Sequence, residues 1–308
     1  MHLHLLGKTN IDFIGKRNIS FVISSIIAIL GIVGIIQIAR GAANMGIDFS
    51  GGTSMQLKFA KPMAMADART ALHKHGIARV DLQEIKEGNK LLIKIDKNAG
   101  AAVGKSADAV KASFTSEFAD NPFVVESTTE IGPSIGDKLR KDTLVAVAIS
   151  FLGIILYIAW RFDFKFGIGA TVATIHDCLA MFAVFYLFNK EINLLFITAV
   201  LTIAGYSLTD TVVVFDRIRE NLHKNLKGAM QTIFNTSINE VLSRTIVTSL
   251  TVFLAAASLF LFGGEVIHDF SLALLIGVLV GTYSSIFVAS PIVVLLENRA
   301  LAKQGDKA

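Results

Sequence analysis

The sequence predicts a polytopic α-helical membrane protein: six transmembrane helices, with a small α+β domain of ferredoxin-like order inserted after the first. Three observations carry this. Hydrophobic residues make up 53% of the 308 and charged residues only 18%, where soluble domains run near ~25% charged. The apolar residues gather into six runs, 19–39, 142–160, 166–188, 193–215, 245–262 and 270–296, each close to the ~20 residues that cross a bilayer. Between the first two runs, residues 40–138 turn charged and mixed, as a water-facing domain does. The mean hydropathy of +0.59 agrees with this division.

Composition also excludes several classes. The single Cys178 lies in an apolar run, so there is no disulfide framework or cysteine metal site. A net charge of only +4 makes no case for a nucleic-acid partner. Many of the 24 glycines lie in or beside the apolar runs, where small residues let helices approach. Gly277 and Gly281 have the small-xxx-small spacing of such a contact face.

In chain order, residues 1–18 are polar and basic, with Lys8, Lys16 and Arg17 ahead of the first run. That run superficially resembles a signal peptide, but it exceeds the ~7–15 residues of a secretory apolar core and reads as an uncleaved first span. In 40–138, strands are expected at 47–59, 79–86, 90–95 and 122–130, and helices at 63–75 and 106–119. Alternation in Gln56-Leu57-Lys58-Phe59 and Leu92-Ile93-Lys94-Ile95 supports the strands. The resulting βαββαβ order is the split ferredoxin-like motif.

Six spans put both termini on one side, and short connections decide which. Arg161, Lys165, Arg217, Arg219, Lys224 and Lys227 fall on one side, followed by Arg299, Lys303 and Lys307, while the short loops at 189–192 and 263–269 carry only Lys190. The positive-inside rule then predicts a cytoplasmic 1–18, an extracytoplasmic 40–138 and a cytoplasmic tail at 297–308. Residues 216–243 hold an apolar stripe (Ile218, Leu222, Leu226, Ile233, Ile238) and predict one or two amphipathic helices on the cytoplasmic face. No internal repeat is present.

The candidate functional residues are the charges inside the spans. Asp210 lies within the fourth run, six residues before Asp216, or ~9 Å at 1.5 Å per residue. An acid so placed costs roughly 2.5–3.5 kcal/mol on insertion scales and by default marks a functional site; a packing role hydrogen-bonded to a neighbouring helix is the plainer alternative. Arg244 opens the fifth run at similar depth, where it either pairs with Asp210 or snorkels to the interface. His176 and Asp177 sit mid-way along the third run; they join Asp210 in a proton relay or serve only as a structural polar pair. Tyr206 places a hydroxyl one turn from Asp210. GAAVGKS at 100–106 mimics a P-loop, but three residues separate its glycines where four are needed, so nucleotide binding is not expected.

These residues carry a family resemblance. GYSLTDTVVVFDRIREN (205–221), GIDFSGGT (46–53), IGPSIGDKLR (131–140), NIDFIGKRN (10–18) and SRTIVTSLT (243–251) resemble, in order along the whole chain, the SecF side of the SecD/SecF family of bacterial Sec protein-translocase subunits. That family belongs to the resistance–nodulation–division superfamily. The resemblance implies a non-enzymatic, cofactor-free subunit of the bacterial inner membrane. It implies pairing with SecD, association with the SecYEG channel, YajC and YidC, and use of the proton motive force to promote preprotein export. By motif match Asp210 is the proton-responsive aspartate and Arg244 its partner. The motif positions Gly46, Asp48, Gly51, Gly52, Gly132, Pro133 and Gly136 flank the outward domain, where the glycines suit hinges and plain turns equally. Half of a proton-coupled transporter for small molecules or lipids, and a purely structural assembly subunit, are the competing readings.

Overall fold

A computed structural model describes residues 9–77, 80–85, 88–96, 106–224 and 229–305. The P-loop-like stretch lies, but for Ser106, outside the described residues. The fold class is the expected one: six helices long and apolar enough to cross a membrane, and a four-stranded α+β unit. The chain divides into two compact units, 45–146 and 1–44 with 147–308.

The 45–146 unit is built from β1 (Gly52–Phe59), α3 (Met65–Lys74), β2 (Val80–Ile85), β3 (Lys90–Asp96), α4 (Ser106–Glu117) and β4 (Phe123–Ile131), after a short helical turn α2 (Ile47–Ser50). All pairings are antiparallel, in the order β2-β3-β1-β4. Register follows burial: Met55 opposes Ile93 and Leu57 opposes Leu91, all four buried. Phe114 of α4 is fully buried, with Phe59 and Phe118 rings at 5.7 and 5.6 Å. Lys74 on α3 ties to Glu117 on α4 at 3.0 Å.

One stretch departs from the expectation. Residues 47–50 are helical and the first strand starts at Gly52. The reason is local: the Phe49 and Ser50 amides both donate to the Gly46 carbonyl at 3.0 Å. Gly51 then takes φ +71, which a residue with a side chain seldom adopts, and this turns the chain out of the helical turn. Phe49, buried, anchors the turn.

The other unit holds α1 (Arg17–Ala39), the greater part of α5 (Pro133–Arg161), α6 (Phe164–Leu187), α7 (Leu194–Lys224) and α8 (Met230–Phe262). The last apolar stretch is α9 (Glu265–Ser284), a π-helical turn (Ser285–Ala289) and α10 (Ser290–Gly305), running on without a break. Close contacts rest on glycine. A Cβ at Gly31 of α1 would meet the Leu179 carbonyl oxygen of α6 at 2.2 Å. At Gly277 it would meet Ile203 at 2.4 Å, and at Gly281 Ser207 at 3.0 Å, so the 277/281 pair is a contact face for α7. The segment 216–243 does not form separate helices. Its two halves extend α7 to Lys224 and begin α8 at Met230. They pair through Arg217 Nε to Glu240 at 2.6 Å and Asn221 to Ser237 at 2.9 Å. Nearby, Arg161 holds Asp216 at 2.7 Å and lies 5.0 Å from the centre of the Phe162 ring.

Candidate functional site

The apolar periodicity of α7 turns one side of the helix inward, with Ile203, Ser207, Asp210, Thr211 and Val214 buried along it. Asp210 is therefore fixed toward the helix bundle, 8% exposed. Thr245 and Ser285 face its carboxyl, with the Arg244 charge next to them. Neither hydroxyl closes a hydrogen bond on Asp210 Oδ2, which has no partner among the described residues; Thr245 Oγ1 has none either. Tyr206, Thr209, Asp210, Val213, Arg244 and Thr248 line a small cavity of about 90 Å³. Asp210 and Arg244 thus share a cavity, and their side chains stop short of an ion pair.

Hydroxyl groups extend this cavity to the neighbouring helices. Tyr206 Oη donates to Ser249 Oγ at 3.1 Å, and Ser249 bonds Thr282 at 2.7 Å. Thr211 and Ser285 share a bond of 2.9 Å. Ser285 opens the π-turn, and Ser290 Oγ donates back to the Ser285 carbonyl at 2.9 Å. A π-turn inserts an extra residue into a helix and is frequent at functional sites. Here it begins at the second of two successive serines, Ser284 and Ser285, that serve different partners.

Ser284 Oγ donates to Asp177 Oδ2 at 2.8 Å, and Ser207 of α7 donates to the same oxygen in a shorter bond. The other carboxyl oxygen meets His176 Nδ1 at 3.2 Å. Asp177 is fully buried. His176 Nε2 is buried without a partner among the described residues, and its ring lies 6.2 Å from that of Tyr283. Two acidic centres result, the open one at Asp210 and the closed one at Asp177. Ser207 precedes Asp210 by three residues on α7, and Ser284 precedes Ser285 by one, so the same two helices bond the one acid and face the other.

The remaining motif residues lie in the 45–146 unit. Gly46 is extended (φ −65, ψ 158) and caps the turn carrying Asp48. Gly51 (φ +71) and Gly52 (φ +144) form the tight corner into β1. Gly132 precedes α5, whose first residue is Pro133, a position where the missing N–H costs nothing. A Cβ on Gly51 would lie 3.3 Å from Pro133 Cα, and one on Gly136 3.1 Å from the Gly51 nitrogen. These glycines therefore let the corner at 51–52 nest against the start of α5.

The structure brings Asp210, Arg244 and Tyr206 into one cavity and places His176 and Asp177 in the adjoining cluster. Sequence reasoning missed Thr282, Ser284 and Ser285. The available signal was the four-residue polar run Thr282-Tyr283-Ser284-Ser285 inside an apolar span.

Residues 110–299 match the family model described as "Protein export membrane protein SecD/SecF, C-terminal", and residues 43–63 match the "SecD/SecF GG Motif". The chain is 55% identical, over 98% of its length and 100% of the relative, to the protein translocase subunit SecF of Thermodesulfovibrio yellowstonii. It is 42% identical to that of Endomicrobium trichonymphae over 94% of this chain and 93% of the relative. The crystal structure of SecDF, a translocon-associated membrane protein from Thermus thermophilus, superposes with a TM-score of 0.84 and 32% identity over 97% of this chain. A SecDF crystal structure in a super-membrane-facing form gives 0.70 and 32% over 98%. The chain spans about 40% of the first of those SecDF chains and 41% of the second. With the motif glycines and the membrane-embedded acids both inside matched regions, the chain is a multi-pass transport component, not an enzyme, and belongs to the SecD/SecF family of protein export membrane proteins.

Proposed function

We propose that the chain acts on the SecF side of the bacterial Sec protein-export machinery, paired with SecD, and uses the proton motive force to promote preprotein translocation. SecYEG, YajC and YidC are the further partners in this reading. The inner membrane holds the chain with both termini cytoplasmic and 40–138 outside. The basic residues Arg161, Arg217 and Arg219 at the ends of α5 and α7 support that orientation.

The observation that carries the proposal is Asp210: buried, unpartnered at Oδ2 among the described residues, and lining a small cavity with Arg244. Its two charge states need different surroundings. Ionised, it needs Arg244 or water beside it, since an unpaired buried charge is costly. Neutral, it has an O–H to donate to Thr245 and no use for the guanidinium. Gaining or losing the proton therefore favours different placements of α7 and α8. The driving force amounts to ~2.3 kcal/mol per charge per 100 mV. Asp177, bonded by Ser207, Ser284 and His176, is proposed together with His176 as the inner end of the relay. In this scheme Tyr206 fixes the cavity wall, and the glycines at 46–52 and 132–136 set the corner about which the outer domain swings.

Preprotein translocation into inverted vesicles, with and without a proton gradient, tests this. Asp210→Asn should abolish the gradient's benefit while the chain still copurifies with SecD. Unchanged stimulation in the variant would favour a scaffold, and small-molecule movement without any effect on preprotein would favour a porter.

A further inference from the structure

The stretch NIDFIGKRN takes no part in the Asp210 cavity, yet residues 11–15 are clipped onto α8. Asn235 Oδ1 accepts from the Phe13 and Ile14 amides at 2.9 and 3.0 Å, and its Nδ2 donates to Asp12 Oδ1 at 2.7 Å. One turn on, Asn239 brackets Ile11, accepting from its amide and donating to its carbonyl, both at 2.9 Å. The Gly15 amide donates to Asp12 Oδ1 at 2.8 Å, and a Cβ there would fall 2.1 Å from the Asp12 carboxylate and displace it. Phe13 and Ile14 are buried, and Phe13 meets Phe287 of the π-turn edge-on at 5.5 Å. Asparagines four apart share a helix face, so α8 presents two side-chain amides as a clamp on residues 11–14, where the chain enters the 3-10 turn Ile14–Lys16 ahead of α1.

The gripped face of α8 continues through Leu242, Ile246 and Ser249. It borders an open apolar groove of about 500 Å³ that Ile11 and Phe13 help to wall. Arg244 and Thr248 occupy a different face and border the cavity of about 90 Å³ around Asp210. The helix thus stands between an open apolar groove and a small polar pocket. Dense packing resists displacement, and on the groove side nothing among the described residues packs against α8. The clip supplies a constraint on that side. Arg244 lies five residues past Asn239, ~7.5 Å along the axis, so a rotation at the clip carries through to the guanidinium.

We infer that Asn235 and Asn239 are positioning residues for the Asp210–Arg244 cavity: by holding residues 11–14 they fix the rotation of α8, and with it the separation of Arg244 from Asp210. The inference rests on the proposed role of that cavity, but its test reads geometry alone.

The test uses the full chain in detergent, with Cys178 replaced by Ala and cysteines placed at Thr209 and Thr248, which both line the small cavity. Two quantities are measured: the rate of disulfide formation between them, and hydrogen-exchange protection of residues 11–14. Asn235→Asp sets a second carboxylate against Asp12 and removes the donor. The exchanged pair Asp12→Asn with Asn235→Asp restores a donor at one position and an acceptor at the other. Asn235→Asp should lower protection by roughly tenfold, as losing hydrogen bonds to a charged group does, and should shift the disulfide rate. The exchanged pair should return both to their starting values. Protection that falls while the disulfide rate stays constant overturns the inference. If Asn235→Asp leaves the clip closed, the double variant Asn235→Ala with Asn239→Ala removes every bond the two side chains make to 11–14, and a constant disulfide rate there overturns it equally. A disulfide rate that follows the clip, in a protein whose export ignores the proton gradient, supports this inference and retires the proton reading.

Discussion

Asp210 and Arg244 line one cavity of about 90 Å³ without closing an ion pair. In the proposed role, either an approach of α8 or the arrival of a proton would satisfy the carboxyl. A tight bidentate pair would instead lock the acid in its ionised form.

Arg244→Lys should therefore retain part of the gradient-stimulated export and Arg244→Ala should lose it. A lysine keeps the charge that a neutral side chain cannot replace. Translocation assays at matched protein levels check this.

The closed acid should matter first for stability. Asp177→Ala strands the Ser207 hydroxyl and a ring nitrogen of His176, and leaves the Ser284 hydroxyl only the Gly281 carbonyl. An unsatisfied buried polar group costs about 1–3 kcal/mol, so this variant should melt earlier than Ser284→Ala, which leaves Ser207 in place. Thermal unfolding in detergent gives the order.

The glycines should divide by what surrounds them. Gly277→Val forces side-chain atoms into Ile203 and should cost about 1–3 kcal/mol, as overpacking does. Gly205→Ala and Gly153→Ala meet nothing within 4 Å and should be nearly neutral. The same melting experiment compares them.

In the 45–146 unit, hydrogen bonds from Lys90 hold the Glu126 carboxyl below its usual range, and Lys74 does the same for Glu117. A folded-state pKa depressed in this way gives stability that is present above the ordinary value of about 4.3 and lost as pH falls through the lowered one. Protection of the β3 and β4 amides, corrected for intrinsic exchange, should therefore weaken at acid pH. Lys90→Gln should flatten that dependence.

What the sequence revealed follows from range. The spans, the βαββαβ order and Asp210 were legible because each is a local pattern: an apolar run, an alternation, a charge where none belongs. The helical turn at 47–50 was not, because Ile47-Asp48-Phe49 alternates like a strand and only the following glycines bend it away. Nor was the π-turn at 285–289, whose residues suit a regular helix equally well. The serine partners of Asp177 lie 30 and 107 residues away, and the N-terminal partners of Asn235 and Asn239 more than 220, so no spacing announces them. Arg244 illustrates the middle case: the motif placed it near Asp210 on the next helix, whereas its standing off from Asp210 is a matter of packing that no local pattern carries.

The most direct measurement is an isotope-edited infrared titration of the Asp210 carboxyl in the assembled complex, with and without a proton gradient. The account predicts that the protonated-acid band appears and disappears as the gradient is applied and removed. A side chain that keeps one ionisation state under every working condition would contradict it.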